Sequence, residues 1–227
     1  MATVSSPVDN VFEFRGVEDL FYAAILEDSE TNYTTGTPKR LSYTAIISKE
    51  VESSSEPHYY DNKAMITVNA KGAETFTFTV APPKLEILAD ITGQSFDPEL
   101  GMLIEGEIKP KFFAIGYRTK GTDGYWRYVW KYKGSFAIPS EEVNTESDSI
   151  DTTNTELTFT AISTVHKFEH KQVSGDTTST VNRSITGIVI DERYGKMSQQ
   201  LKDNWTSKVY TPELIKSEAT STVNLSK

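Results

Sequence analysis

The chain has 227 residues, 37% of them hydrophobic, with 32 acidic against 23 basic side chains, a net charge of −9 and no cysteine. That length is ample for a sizeable core, either in one large domain or in one domain with an appendage. The absent cysteine excludes a disulfide framework and thiolate chemistry, and so acidic a balance suits phosphate binding poorly, since that needs clustered Lys and Arg. Nowhere do 18 apolar residues run together, so no membrane-spanning helix is expected. The start, Met1-Ala2-Thr3-Val4-Ser5-Ser6-Pro7, has neither a basic leader nor an apolar core. No export signal is therefore expected, and the protein is expected to be soluble and made in a cytoplasm.

Residues 1–10 read as a polar arm. Val11 to Leu26 carry Phe12, Phe14, Leu20, Phe21, Tyr22 and Ile25, interrupted by Gly16, which predicts an entering strand followed by a packed segment. Asp28 to Lys39 hold Asn32, Gly36 and Pro38 and predict a loop. Leu41, Tyr43, Ala45 and Ile47 alternate with polar residues, the pattern of a strand with one buried face. Glu50 to Asn62, EVESSSEPHYYDN, predicts a long polar connection, and connections of that length tend to be functional or disordered. Tyr59 and Tyr60 argue that its far end is docked.

Ala64 to Ala70 and Thr75 to Val80 predict two strands joined by a tight turn at Lys71-Gly72-Ala73. On the second, Phe76, Phe78 and Val80 face a core, while Thr75, Thr77 and Thr79 form a wet but uncharged face. Pro82-Pro83 then open a short helix over about 84–91, with Leu85, Leu88 and Ala89 on one side and Gly93 as its stop. Met102 to Ile108 predict a further strand that turns Glu105 and Glu107 to one side.

Phe112 to Ile138, FFAIGYRTKGTDGYWRYVWKYKGSFAI, is the strongest signal in the chain. Two aromatic and β-branched runs flank Lys120-Gly121-Thr122-Asp123-Gly124, which predicts a β-hairpin with Asp123-Gly124 near its tip. Side chains alternate along a strand, so Trp126, Tyr128, Trp130 and Tyr132 make an aromatic wall and Arg127, Lys131 and Lys133 a cationic reverse. Each such ring can bury ~150–250 Å², too much to leave in water. Core packing, a subunit seam and a sugar-stacking platform all remain open for that wall. Between Ile108 and Gly134 stand seven Lys/Arg and one acid, whereas Glu141 to Glu156 carries six acids and no base. The plain reading of either run alone is solvated surface.

Ser140 to Asn154 predicts an acidic Ser/Thr-rich loop, Glu156 to His166 a strand, and Ser174-Gly175-Asp176 a turn. Val181 to Ile190 predicts another strand, Tyr194, Met197 and Leu201 a short helix, and Trp205 to Tyr210 a last extended segment. His166 and His170 stand four apart, but on a strand that spacing holds the rings about 13 Å apart, and His58 has no partner. No nucleophile elbow, phosphate-cradling loop or nucleotide fingerprint occurs, so no enzyme, metal or cofactor is expected.

The runs Phe113-Ala114-Ile115-Gly116-Tyr117-Arg118, Arg127-Tyr128-Val129-Trp130 and Tyr132-Lys133-Gly134 resemble the major tail (tail tube) proteins of long, non-contractile-tailed bacteriophages of Gram-positive hosts. The resemblance extends upstream through Tyr59-Tyr60-Asp61-Asn62-Lys63-Ala64, Thr75-Phe76-Thr77-Phe78-Thr79-Val80 and Leu85-Glu86-Ile87-Leu88-Ala89, and spans residues 15–165. It implies an antiparallel β-sandwich or barrel over residues 11–172, with 173–227 as a C-terminal extension of one strand and a short helix.

It further implies a virion protein, assembled in the bacterial host's cytoplasm, whose hexameric rings stack into a hollow tube for the genome. A long hairpin loop and a terminal arm would bridge rings, and Tyr59, Tyr60, Asp61 and Asn62 are the expected stacking contacts. Thr75, Thr77, Thr79, Glu105 and Glu107 become candidates for the lumen, because a DNA conduit should not attract phosphate. Arg127, Lys131 and Lys133 would meet Glu141, Glu142 and Glu146 of a neighbour. The expected partners are other copies of the chain, a tape measure protein inside the tube, and terminator and distal tail proteins at its ends. DNA would pass without specific binding, and no part would enter a membrane. A cell-surface or receptor-binding β-sandwich module and a single-ring tail component are the alternative readings.

Overall fold

The computed structural model describes residues 11–140, 154–175, 177–195 and 197–224. The expected N-terminal arm and the acids Glu141, Glu142 and Glu146 lie outside the described residues. The first strands are β1 (Phe14–Asp28), β2 (Tyr33–Thr35), β3 (Lys39–Arg40), β4 (Thr44–Tyr60) and β5 (Lys63–Val80). Helix α1 (Leu85–Thr92) leads to β6 (Ser95–Asp97), β7 (Met102–Ile104), β8 (Phe113–Gly121) and β9 (Trp126–Phe136). There follow β10 (Thr155–Ala161), β11 (Lys167–Ser174), β12 (Thr177–Ser184), β13 (Gly187–Asp191), α2 (Gln199–Asp203) and α3 (Pro212–Asn224). Nine strands share one antiparallel sheet in the order β2-β1-β8-β9-β10-β5-β4, with β3 on β1 and β13 on β9. The fold is mainly β, as the period-2 patterning predicts, and α1 begins one residue later than expected.

Strand β9 is where the sheet divides. Arg127–Lys131 pair with β13, whereas Gly134–Phe136 pair with β10. The half built on β1, β8 and β9 thus faces the half built on β10, β5 and β4 in a sandwich. Phe113, Ile115, Tyr117 and Val129 from one half meet Phe76, Phe78, Val80, Leu157 and Phe159 from the other. Helix α1 adds Ile91, and Gly93 ends it in the left-handed conformation (φ 74°), where a side chain would strike Lys109.

The aromatic wall of β9 lies on the opposite side of that interior. Tyr128, Trp130 and Tyr132 are buried and Trp126 half-buried. Their cover comes from this chain itself: Phe168, Leu201, Trp205, Val209 and Tyr210. Trp205 meets Tyr128 edge-on at 5.3 Å and stacks flat on Tyr210 at 5.4 Å. Tyr132 donates its hydroxyl proton to the Tyr210 carbonyl (2.8 Å), and Tyr33 donates to that of Tyr132 (2.6 Å). Gly116 lies directly across from Trp130, and any Cβ there would stand 2.7 Å from the indole. With β13 in the main sheet and α2 on the wall, much of the segment 173–227 is built into the same body as the rest.

Several expected boundaries fall elsewhere. Within Val11 to Leu26, residues 14–26 belong to one long strand, whose register shifts near Gly16 and at Asp19, a non-glycine with φ 57°. The predicted loop Asp28–Lys39 contains β2, which folds back on β1. The strand expected over Met102–Ile108 stops at Ile104 and pairs only with β6. Val181–Ile190 divides between β12 and β13. Trp205–Tyr210 is a turn rather than a strand, and α3 follows it unforeseen. The signal for α3 was present, since Thr211 caps the amide of Leu214 (3.3 Å) and Pro212 fills the first helical position.

Because Trp130 touches both β8 and the C-terminal cover, Trp130→Ala is expected to cost about 3–5 kcal/mol. Urea unfolding of the variant checks this, and an unchanged midpoint would contradict the packing described.

Candidate functional site

The feature with the clearest bearing on function is a two-stranded ribbon formed by the distal parts of β4 and β5. Beyond Glu74 neither strand has another partner among the described residues, yet they remain paired from Ser53↔Lys71 out to Tyr60↔Lys63. The predicted loop Glu50–Asn62 is therefore strand up to Tyr60. Asp61 and Asn62 form the tip, with φ 48° and 61°, a two-residue turn in the left-handed region that Asp and Asn tolerate best. Nor does the chain turn at Lys71-Gly72-Ala73. Gly72 sits mid-strand, opposite a bulge at Val51/Ser53, where a Cβ would approach the Cβ of Glu52 to 2.9 Å.

The described side chains on both faces of the ribbon are open to solvent. Tyr59 (66% exposed), Tyr60 (55%), Met65 (67%) and Ile66 (54%) gather near the tip. An isolated two-stranded ribbon is marginal in water, and exposed apolar surface of this kind is the composition that contact surfaces share. Pro57 and the charges along β4 blunt its free edge.

The sheet face carrying Thr75, Thr77 and Thr79 continues across three strands. Register places Ser48, Thr77 and Thr158 in one row, Glu50, Thr75 and Thr160 in the next, and Ile46, Thr79 and Glu156 in a third. That face includes two acids and no base among these nine residues, and it is open or half-open to solvent. Glu105 and Glu107 do not join it. They are exposed in the irregular segment after β7, outside the main sheet, so the expected shared surface of threonines and glutamates is not built.

The expected inter-subunit cations are instead paired within the chain. Arg127 meets Asp191 at 3.0 Å, Lys133 meets Asp28 at 2.6 Å, and Lys131 meets Glu74 at 2.5 Å. Asp28 also accepts the amides of Val165 and His166. Glu74 is 2% exposed and receives Lys71 (2.6 Å) and Lys49 (3.1 Å) as well as Lys131. The partners came from strands and turns far away in sequence, which strand periodicity does not reveal.

Other sites for chemistry are sparse. A cleft of about 540 Å³ between β9 and α2 is lined by Trp126, Asp19, Arg118, Glu192 and Lys202. Its charges satisfy one another, Arg118 with Asp19 at 2.8 Å and Lys202 with Glu192 at 2.7 Å. Among the described residues no three His, Asp or Glu side chains gather as a metal site requires. His58 is exposed on the ribbon, and His166 packs edge-on against Phe168. No described helix is long and apolar enough to cross a membrane. No known protein family matches the chain, and neither does any curated protein.

The buried carboxylate sets a pH dependence. Burial works to raise the Glu74 pKa, but hydrogen bonds from Lys131, Lys71 and Lys49 outweigh it and push the pKa down from 4.5 to about 2. A folded-state pKa below the unfolded one means stability that is fully present above the unfolded value and lost as pH falls through the folded one. Stability is therefore expected to decline between about pH 4.5 and 2 in step with this group. Glu74→Gln should weaken that part of the acid dependence, and at neutral pH it strands Lys131 at a cost of about 3–5 kcal/mol. Denaturant midpoints measured across that pH range check both effects.

Proposed function

We propose that this chain is a self-assembling structural subunit: the tail tube protein of a long, non-contractile-tailed bacteriophage, closing into rings that stack into a hollow conduit. The observation that carries the reading is the ribbon. An extended, solvent-surrounded hairpin with two exposed tyrosines at its tip contributes little to its own subunit's core. It has the form of a bridge to the next one. The resemblance of the β8–β9 hairpin to the tail tube proteins supplies the identity of the assembly.

Two further features support it. The Thr-rich, cation-free face of β4, β5 and β10 suits a wall past which DNA must slide, since each Lys or Arg there would add counterion-linked attraction. The free outer edge of β4 is a liability in a lone subunit that a closed, head-to-tail ring removes. The aromatic wall takes no part in this reading, because the C-terminal segment already covers it. Glu105 and Glu107 are no longer assigned to the lumen.

Negative-stain microscopy of the purified protein tests the proposal. Tubes of uniform width are the expected result. Isolated single rings would point to a terminator or distal tail role, and small separate particles at high concentration to a monomeric surface module. Replacing residues 52–72 by a two-residue turn is expected to leave a soluble, folded protein, with its thermal midpoint shifted by only a few degrees, that no longer polymerises. Normal tubes from that deletion would overturn the ribbon's role.

A further inference from the structure

The two halves of the sandwich meet on one side through β9, but on the other side they do not close. Along Phe14–Val17 the outer edge of β1 lies near the outer edge of β4 at Ala45–Lys49 without hydrogen bonding to it. Between them is a cleft of about 420 Å³. Tyr117 and Val129 of the inner core form its floor, Val17 and Ile47 its walls, and Phe14 and Ile46 its rim. Three cations and no acid line it: Arg15, Lys49 and Arg127. Lys49 already holds Glu74 and Arg127 holds Asp191, whereas Arg15 has no ion pair among the described residues.

The ribbon has the complementary chemistry. Residues 50–73 carry four acids, Glu50, Glu52, Glu56 and Asp61, against Lys63 and Lys71, a net of −2. Lys71 is held by Glu74, and the other five have no ion pair among the described residues. Its tip presents Tyr59 and Tyr60, aromatic anchors that prefer a desolvated slot with a polar margin for the hydroxyl. We infer that the tip of the ribbon of one copy seats in the β1/β4 cleft of the next.

Geometry selects a second copy as the occupant. Tyr60 at the tip lies 13 residues of strand beyond Ile47 in the cleft, about 40 Å at ~3.3 Å per residue. A paired ribbon of that length cannot bend its tip back to its own cleft. The same two surfaces on successive copies meet head to tail, a contact that propagates rather than closing on a pair. The unpaired acids along the ribbon and the cations of the cleft align the encounter.

The inference rests on the reading of the chain as a self-assembling subunit and names where the bridge lands. Because the native chain has no cysteine, placed thiols report the contact cleanly. Ala45 at the mouth of the cleft and His58 beside Tyr59 are exposed, and neither is one of the aromatic anchors. Ala45→Cys and His58→Cys proteins are mixed, allowed to assemble and treated with a short bis-maleimide. Circular dichroism and thermal melts verify that both are folded. The expected result is a covalent dimer containing one chain of each kind, absent when either protein is treated alone, and a ladder of multimers from the doubly substituted chain. Tubes that form without the mixed dimer would overturn the landing site while leaving the tube reading intact. A dimer from the His58→Cys protein alone would show tip-to-tip contact and overturn it as well. If the unsubstituted chain, like the two variants, neither assembles nor cross-links at any concentration, both the landing site and the tube reading fail.

Discussion

Strand β9 has to satisfy two buried faces at once, and the rest of the molecule follows from how it does so. On one side Tyr128, Trp130 and Tyr132 present more aromatic surface than water tolerates, so the chain returns after β10 to lay Phe168, Trp205 and Tyr210 over it. On the other side Val129 joins the sandwich interior, and Lys131 is carried into it as well. A charge there is tolerable only with a counter-charge at contact distance, and Glu74 of β5 provides it. The Lys131–Glu74 contact therefore ties the two halves of the sheet together close to where the paired part of β5 ends and the ribbon begins.

That position gives the ion cluster a structural meaning. Lys49 and Lys71, which also reach Glu74, lie on the two strands at the root of the ribbon. The carboxylate is a staple that holds both ribbon strands against the body while the distal part runs free. A hairpin with no core of its own needs such an anchorage at its base to stay extended. Similar clamps secure other junctions: Arg193 grips Asp123 in the β8–β9 turn at 2.7 Å and Asp191 at the end of β13 at 2.8 Å, with its guanidinium over Phe12. The clamp formed by Lys133 and Asp28 ties β9 to the end of β1 in the same manner.

Internal pairing also redistributes the charge available for contacts. Once Arg127, Lys131 and Lys133 are bound by Asp191, Glu74 and Asp28, the cationic reverse of β9 is no longer a surface feature. What remains exposed is an acidic ribbon, a Thr-rich sheet face and a small cationic cleft with Arg15 at its rim. Surfaces of this kind suit repeated, oriented contacts between copies, because each charged pair contributes little alone but the register repeats at every interface.

The sequence by itself determined the β class, the β8–β9 hairpin and its alternating faces, helix α1 and its glycine stop, and the split of β5 into an aromatic and a threonine face. Each depends on near neighbours: turn residues, period-2 burial or a short amphipathic repeat. Only the tertiary structure decided the rest. Period-2 patterning reports a difference in burial between two faces rather than strand as such, so a ribbon wet on both faces, EVESSSEPHYY, leaves no alternation and reads as a loop. Gly72 looks like a turn residue, yet it answers a close approach by Glu52 from the paired strand. The cations of β9 look like an outer surface because their carboxylates lie between 57 and 105 residues away along the chain. Strand alternation tells which way a side chain points, but what it meets there is settled by the return path of the chain.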